Sequence, residues 1–323
     1  MDARISANLA LALFCVFSPT QGAAQGYPGK PVRLVFPWPS GSAIDGLLRL
    51  MAQKLTERWG QQVVVDSRPG AAGNIGAEMV ARAAPDGYTV LYVTPGVSTY
   101  PSLYRKPVYH PVKDFAPVSL VVITSFILVV HPSVPAGSVK ELLALAKARP
   151  GVLNHASSGV GAGIHLAAEL FKRMGGVNIV HVPYKGHAPA LVDVISGQVD
   201  MMFSNGPAAL PHVKAGKLRA LAVTTSKRWP PLPEVPTMAE AAPPGFEITY
   251  WGGLAVPAGT PQAIIDRLRD EVVQALQLPE VRQSIVTQGF VAVGSTPQEF
   301  GAYIQAEVAR WAEVIKAGGI RLD

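Results

Sequence analysis

Residues 67–77 read SRPGAAGNIGA, between an apolar run at 63–65 and a helix-forming run at 78–83. A strand that ends in small residues and leads directly into a helix leaves backbone N–H groups uncovered, and the helix dipole adds partial positive charge there. Such a turn attracts anions. The stretch therefore predicts a strand, a loop and a helix of an α/β fold, with an anion-binding role for the loop.

Two other readings of this loop have to be weighed. Glycines at a strand-to-helix turn also mark nucleotide sites, but Gly70, Gly73 and Gly76 recur every three residues and do not form G-x-G-x-x-G. The chain also has no G-x-x-x-x-G-K-[ST] motif. The remaining alternative is that the glycines only permit tight turns and close packing.

The first residues have the pattern of a secretory signal peptide. Arg4 precedes an apolar stretch at 9–17, and small residues at 22–24 follow. We predict a signal peptide over 1–24 and a periplasmic, secreted protein. The single cysteine, Cys15, lies within this segment, so the mature chain has no disulfide and no thiol chemistry.

Composition limits the class of partner. The mature chain of about 300 residues suits two domains. The net charge of +6 favours anionic ligands. The basic residues are scattered without a basic run, which argues against nucleic acid.

From residue 31 onward, short β-branched runs alternate with amphipathic stretches, which predicts an α/β fold with two parallel-rich sheets flanked by helices. Strands are predicted at 32–36, 62–66, 88–94, 152–156, 178–182, 199–203, 218–224 and 246–251. Helices are predicted at 44–58, 78–83, 139–148, 164–174, 188–196, 261–276, 280–288 and 297–316. Ligands of open α/β sheets bind beyond the carboxyl ends of the strands. Three Gly- and Ser-rich loops, 37–45, 67–77 and 157–163, are therefore expected to form a cleft for a carboxylate.

Motifs along the whole mature chain resemble one family. They include RPGA with GNIGA at 68–77, PDGYT at 85–89, HVPYKG at 181–186, GKLRALA at 216–222 and PAGTP at 257–261. The chain resembles the Bug, or TctC-like, extracytoplasmic receptors of tripartite tricarboxylate transporters.

The resemblance implies a type II-like, two-lobed periplasmic binding protein with the ligand cleft between its lobes. Lobe 1 would comprise 27–122 and 249–323, lobe 2 would comprise 123–248, and hinges would lie near 121–125 and 247–250. It implies a monomer without cofactor or metal that captures a small organic carboxylate, a dicarboxylate or an aromatic acid, and delivers it to membrane permease subunits. From the resemblance and the three loops, the expected ligand-binding residues are Trp38, Ser40, Gly41, Ser42, Asp45, Asn74, Gly76, Ala77, Ser157, Ser158, Gly159, His165, Ser204 and Asn205.

Some of these positions carry open alternatives. Asp45 can cap a helix without touching ligand, and His165 can donate to a ligand or brace its loop. Trp38, Tyr100, Phe126 and Trp251 can line the pocket or belong to the core.

The sequence departs from the family pattern at three positions. Ser42 replaces a common glycine, Ile44 takes a place often held by threonine, and Ser204 stands where many members carry aspartate. An aspartate there could receive a ligand ammonium, so Ser204 argues against an amino-acid ligand.

Two alternative functions are considered for the same chain. A periplasmic sensing subunit for a signalling receptor would use the same liganded form. A hydrolase would require Ser157 or Ser158 to be activated by His155 or His165, but the chain has no G-x-S-x-G, H-E-x-x-H or cysteine–histidine motif. We therefore expect a binding protein and not an enzyme.

Overall fold

A computed structural model describes residues 26–241 and 245–319. The predicted signal peptide at 1–24 lies outside the described residues. Within these ranges the strands are β1 (Val32–Phe36), β2 (Val63–Ser67), β3 (Thr89–Val93), β4 (Phe115–Val130), β5 (Asn154–Ser157), β6 (Val180–Pro183), β7 (Met201–Asn205), β8 (Arg219–Val223), β9 (Thr249–Pro257) and β10 (Val291–Ala292).

The α-helices of the described ranges are α1 (Ala43–Trp59), α2 (Asn74–Ala81), α3 (Pro95–Leu103), α4 (Val139–Ala148), α5 (Gly163–Gly175), α6 (His187–Ile195), α7 (Gly206–Lys214), α8 (Met238–Ala241), α9 (Gln262–Gln277), α10 (Pro279–Thr287) and α11 (Pro297–Gly318). A short 3₁₀ turn, Ala71–Gly73, precedes α2.

Two sheets share the long strand β4. In the first sheet, β2, β1 and β3 are parallel, and the antiparallel strands β9, β4 and β10 continue it. In the second sheet, β6, β5 and β7 are parallel, and β4 pairs antiparallel with β7 and β8. The α/β prediction is confirmed, and the antiparallel pairs lie where the sheets are joined.

The chain passes between the sheets at two adjacent points. Residues 115–125 of β4 pair with β9, whereas residues 126–130 pair with β7 and β8. Ser125 lies opposite Thr249, the first residue of β9. Thr224 binds both crossing segments, because its hydroxyl accepts from the Phe126 N–H at 3.0 Å and its carbonyl accepts from the Ile248 N–H at 3.2 Å.

Most predicted elements occur within one or two residues of their expected bounds, and β1 and α4 match fully. The sequence did not predict β4, β10 or α8, and the strand predicted at 246–251 is β9, which runs from Thr249 to Pro257. It also did not predict α3 and α7. Each begins with glycine or proline and contains an internal proline, Pro101 or Pro211. Proline normally ends a helix, so the sequence pattern does not predict helices in these segments.

The C-terminal helices pack against the first sheet. α11 contacts β4 and α3, and α9 contacts β4 and α1. One carboxylate oxygen of Glu307 accepts from the indole N–H of both Trp251 and Trp311, each at 2.9 Å. Trp251 therefore belongs to the core. Within the described residues, no helix has the length and apolar character needed to cross a membrane.

Candidate ligand-binding site

A cavity of about 410 Å³ lies between the two sheets, at the ends of their strands. Its size falls within the range of roughly 300–1,000 Å³ that is usual for small-molecule sites. Large apolar side chains form much of the wall: Phe36, Trp38, Phe126, Ile164, Leu191, Tyr250 and Phe290. Among the described residues that line it, none is aspartate, glutamate, lysine or arginine.

Five described helices begin in the wall of this cavity. They are α1, α3, α5, α6 and α7, and the cap or first-turn residues of each are in the lining. Only α1 is capped by a side chain, since Ser42 Oγ accepts from the Asp45 N–H at 3.2 Å. The first turns of the other four have no such cap, so the N–H groups that they retain are not satisfied by a side-chain cap at the cavity wall. Pro95, Pro189 and Pro207 in these turns have no N–H. This wall carries partial positive charge without a cation.

Some of the residues predicted from the sequence line the cavity, and the others lie outside its lining. Six of them line the cavity: Trp38, Ser40, Gly41, Ser42, Ser158 and Asn205. Eight are absent from the lining: Asp45, Asn74, Gly76, Ala77, Ser157, Gly159, His165 and Ser204. Of the four aromatic candidates, Trp38 and Phe126 line the cavity, whereas Tyr100 stacks on Tyr109 with ring centroids 4.3 Å apart.

Asp45 supports the first loop from behind. Its Oδ2 accepts from the Gly41 N–H at 2.9 Å and from Arg49 Nε at 3.1 Å. The Asp45 side chain is buried, and its contacts are with the loop and its own helix. This arrangement fixes the turn at Gly41, whose φ of 96° suits glycine.

The glycine-rich loop at 67–77 lies beside the cavity and packs closely against its neighbours. The Asn74 side chain is used within the protein: its amide donates to the Ala71 carbonyl, and its oxygen accepts from the Tyr109 hydroxyl. A Cβ on Gly76 would lie 3.1 Å from both Pro37 Cβ and the Arg68 carbonyl oxygen. These contacts agree with the packing alternative for Gly76, and the ligand role of the loop stays a prediction.

Three stacked imidazoles support the loop at 157–163. His181 lies between His155 and His165, with ring centroids 4.8 Å and 4.2 Å away. His181 Nε2 is 2.6 Å from Ser157 Oγ, and His165 Nδ1 accepts from the Gly161 N–H at 3.1 Å. In this structure His165 braces the loop.

The surroundings of the stack keep its rings neutral. Burial lowers the pKa of His165 to about 4 and that of His181 to about 3, and it also lowers the pKa of His155. The carboxylate of Glu169, 3.7 Å from Nε2 of both His155 and His165, opposes these shifts without overcoming burial. Ser157 is fully buried outside the cavity lining, and its hydroxyl pairs with His181. No group of three or more described His, Cys, Asp or Glu residues could hold a metal ion.

Loops from the two sheets meet around the cavity. The Thr99 hydroxyl of α3 is 3.1 Å from the Gly161 carbonyl oxygen. A Cβ on Gly163 would lie 3.3 Å from Pro95 Cβ, and one on Gly186 would lie 3.4 Å from Pro39 Cγ. Glycine at these positions permits the backbones to approach and enclose the cavity.

The sequence reading missed three parts of the wall: the starts of α3 and α6, and the aromatic pair Tyr250 and Phe290. Glycine or proline directly after a strand was the available signal, in Pro95-Gly96 and in Gly186. That signal shows a turn but not the direction in which the turn faces.

An α/β fold with a cavity between two strand-end surfaces, and with no aspartate, glutamate, lysine or arginine among the described lining residues, is the architecture of a two-lobed small-molecule receptor. Residues 47–320 match the model of the "Tripartite tricarboxylate transporter family receptor". Protein BugT of Bordetella pertussis (strain Tohama I / ATCC BAA-589 / NCTC 13251) is 37% identical over 97% of this chain and 98% of its own length. The chain belongs to this receptor family, as its motifs predicted.

Solved structures agree with the fold. R. palustris Rpa4515 with adipate is 42% identical, with a TM-score of 0.86 over 92% of this chain and 100% of that one. MatC (Rpa3494) from Rhodopseudomonas palustris with bound malate is 32% identical, with a TM-score of 0.84 over 90% of this chain and 100% of that one. The predicted two-lobed fold is confirmed, and the family and these neighbours are binding proteins.

Proposed function

We propose that this protein captures a small organic acid in the central cavity and holds its carboxylate with backbone N–H groups. The observation that carries the proposal is the convergence of four helix starts without side-chain caps, those of α3, α5, α6 and α7, on a cavity without a cation. Uncapped N–H groups and helix dipoles stabilise an anion without a permanent positive charge. Adipate and malate in the related structures are ligands of this class.

The rest of the cavity wall limits which other chemical groups the bound acid can have. An ammonium group would find no aspartate or glutamate among the described lining residues. The aromatic and aliphatic side chains favour a hydrocarbon body. Amino acids and cationic solutes are therefore poor ligands for this site.

In the proposed transport role, the two lobes close around the bound acid. We infer lobe 1 over 27–122 and 249–323, lobe 2 over 123–248, and hinges near 121–125 and 247–250, supported by the paired crossings of β4 and β9. Family membership and the predicted signal peptide at 1–24 support a periplasmic, monomeric receptor that delivers its ligand to membrane permease subunits of a tripartite tricarboxylate-type transporter.

A ligand pair of the same shape tests the carboxylate assignment. Adipate and its uncharged diamide, adipamide, are compared by calorimetry and by thermal shift, where a ligand at 100 times its Kd adds about 2.7 kcal/mol of stability. We expect adipate to bind and adipamide to bind far more weakly. Adipamide binding as tight as that of adipate, or no binding of any organic acid, would refute the proposal.

A matched pair of variants tests the electrostatics. Ala188 lies in the cavity wall and in the first turn of α6, where an aspartate is favourable for the helix. Ala188→Asp adds a charge of the same sign as the ligand, whereas Ala188→Asn adds the same volume without charge. Two charges about 7 Å apart at an effective dielectric constant of about 20 repel by about 2 kcal/mol, or roughly thirtyfold in Kd. Equal weakening by both variants would mean that the effect is steric and would contradict the proposal.

A further inference from the structure

One wall of the cavity contains a polar pair that the carboxylate proposal does not use. His187 begins α6 and lines the cavity, and its Nε2 lies 2.9 Å from the hydroxyl of Ser204 at the end of β7. His187 is the one basic side chain among the described lining residues. The other polar side chains of the lining are uncharged hydroxyl and amide groups, such as those of Ser158 and Asn205. His187 is placed among them to recognise a polar feature of the ligand.

The second ring nitrogen of His187 is free to do so. Within the described residues Nδ1 makes no hydrogen bond to protein, and unlike both nitrogens of His155 it is not closed off from open space. The residue itself is half-buried. Because Nε2 is occupied by Ser204 and the ring lines the cavity, Nδ1 is the atom available to a bound molecule.

Ser204 determines what Nδ1 offers. Its hydroxyl has one proton, which it can donate either to His187 Nε2 at 2.9 Å or to the Asn205 carbonyl oxygen at 3.3 Å, and the contact with His187 is the shorter one. When the hydroxyl donates to Nε2, the ring proton resides on Nδ1. Burial lowers the pKa of His187 to about 4, so the ring is neutral at neutral pH. In the tautomer set by a hydrogen bond from Ser204 to Nε2, the cavity presents a neutral N–H donor at this point.

We propose that His187, oriented by Ser204, is a specificity-determining residue whose Nδ1–H donates to a second oxygen-bearing group of the ligand. The preferred ligand is then an organic acid with two carboxylates, or a carboxylate and a second acceptor, and without an ammonium group. This inference rests on the proposed carboxylate-binding function and adds the second recognition point. A serine at 204 fits the role, because it leaves the imidazole neutral and accessible where an acidic side chain would repel an oxygen anion.

Two substitutions separate the nitrogens of His187. The Asn side chain of His187→Asn places its polar atoms near the position of Nδ1, whereas the Gln side chain of His187→Gln places them near Nε2 and Ser204. Adipate and hexanoate serve as probes, because they have the same chain length and differ in the second carboxylate. Calorimetry gives the Kd of each acid for the three proteins, and the melting temperature without ligand checks that each variant is folded.

The wild type is expected to prefer adipate over hexanoate by at least about tenfold, the usual effect of one hydrogen bond to a charged group. His187→Asn is expected to retain most of this preference, and His187→Gln to lose it through weaker adipate binding. Equal loss in both variants, or loss only in His187→Asn, overturns the assignment of Nδ1. Adipate and hexanoate binding equally to the wild type overturns this inference alone. Failure of both acids to bind overturns it together with the proposed function.

Discussion

The stacked imidazoles predict a specific loss of stability in acid, which His165→Asn isolates. His165 is almost completely buried, and its pKa falls from an ordinary value of 6.5 to about 4. The unfolded chain takes up a proton below about pH 6.5, whereas the folded ring stays neutral until about pH 4. Since the unfolded state binds more protons in this window, the free energy of unfolding falls as the pH falls.

The size of the effect follows from those two pKa values. At about pH 5 one such histidine lowers the free energy of unfolding by about 2 kcal/mol relative to pH 7. Glu169 does not interfere, because its pKa is lowered to about 2 and it stays ionised throughout this range. Asparagine can still accept the hydrogen bond from the Gly161 N–H, so the variant removes the titration and keeps the brace.

Urea unfolding followed by tryptophan fluorescence gives the free energy of unfolding of both proteins at about pH 7 and pH 5. The difference at pH 7 measures any structural cost of the substitution. We expect the drop from pH 7 to pH 5 to be smaller in His165→Asn by about 2 kcal/mol. The same drop in both proteins would show that His165 is not held neutral, and the reasoning about the stack would be wrong.

Two further predictions concern the closed cavity and the core. Gly163→Val should weaken organic-acid binding at least tenfold with the fold retained, because a Cβ there meets Phe126 at 3.1 Å and Pro95 at 3.3 Å. Gly46→Ala in α1 is its control, since a Cβ there has open space. For this control, calorimetry should give an unchanged Kd, and urea unfolding should give a free energy of unfolding higher by about 0.5–1 kcal/mol. Equal affinity in both variants would contradict the role of Gly163 in closing the cavity. Glu307→Leu should lower the free energy of unfolding in urea by about 2–5 kcal/mol, because two buried indole N–H groups lose their acceptor. Glu307→Gln should lower it by less. An equal loss in the two variants would exclude the shared hydrogen bonds as the cause.

The sequence predicted the regular elements better than the orientation of the loops. Hydrophobic periodicity identified β1 and α4 because each buries a continuous apolar face. A helix was predicted at 188–196, but the sequence did not place its start in the wall, because that position depends on Gly186 approaching Pro39 across the cavity. The family resemblance implied that Asn74 contacts the ligand; in the structure its side chain binds Ala71 and Tyr109, and the ligand contact stays a prediction. Both the position of the start of α6 and the partners of the Asn74 side chain depend on contacts between residues far apart in the sequence.

The pairing of β9 beside β3 has a consequence for how the chain folds. Leu91 lies opposite Ala255, so the first sheet gains its central antiparallel strand only after most of the chain has been synthesised. Pairing over such a sequence separation carries a large loop-closure entropy and slows folding. We expect a long-lived, incompletely folded chain. If the predicted signal peptide at 1–24 directs export, slow completion of the first sheet would keep the chain unfolded long enough to cross the membrane.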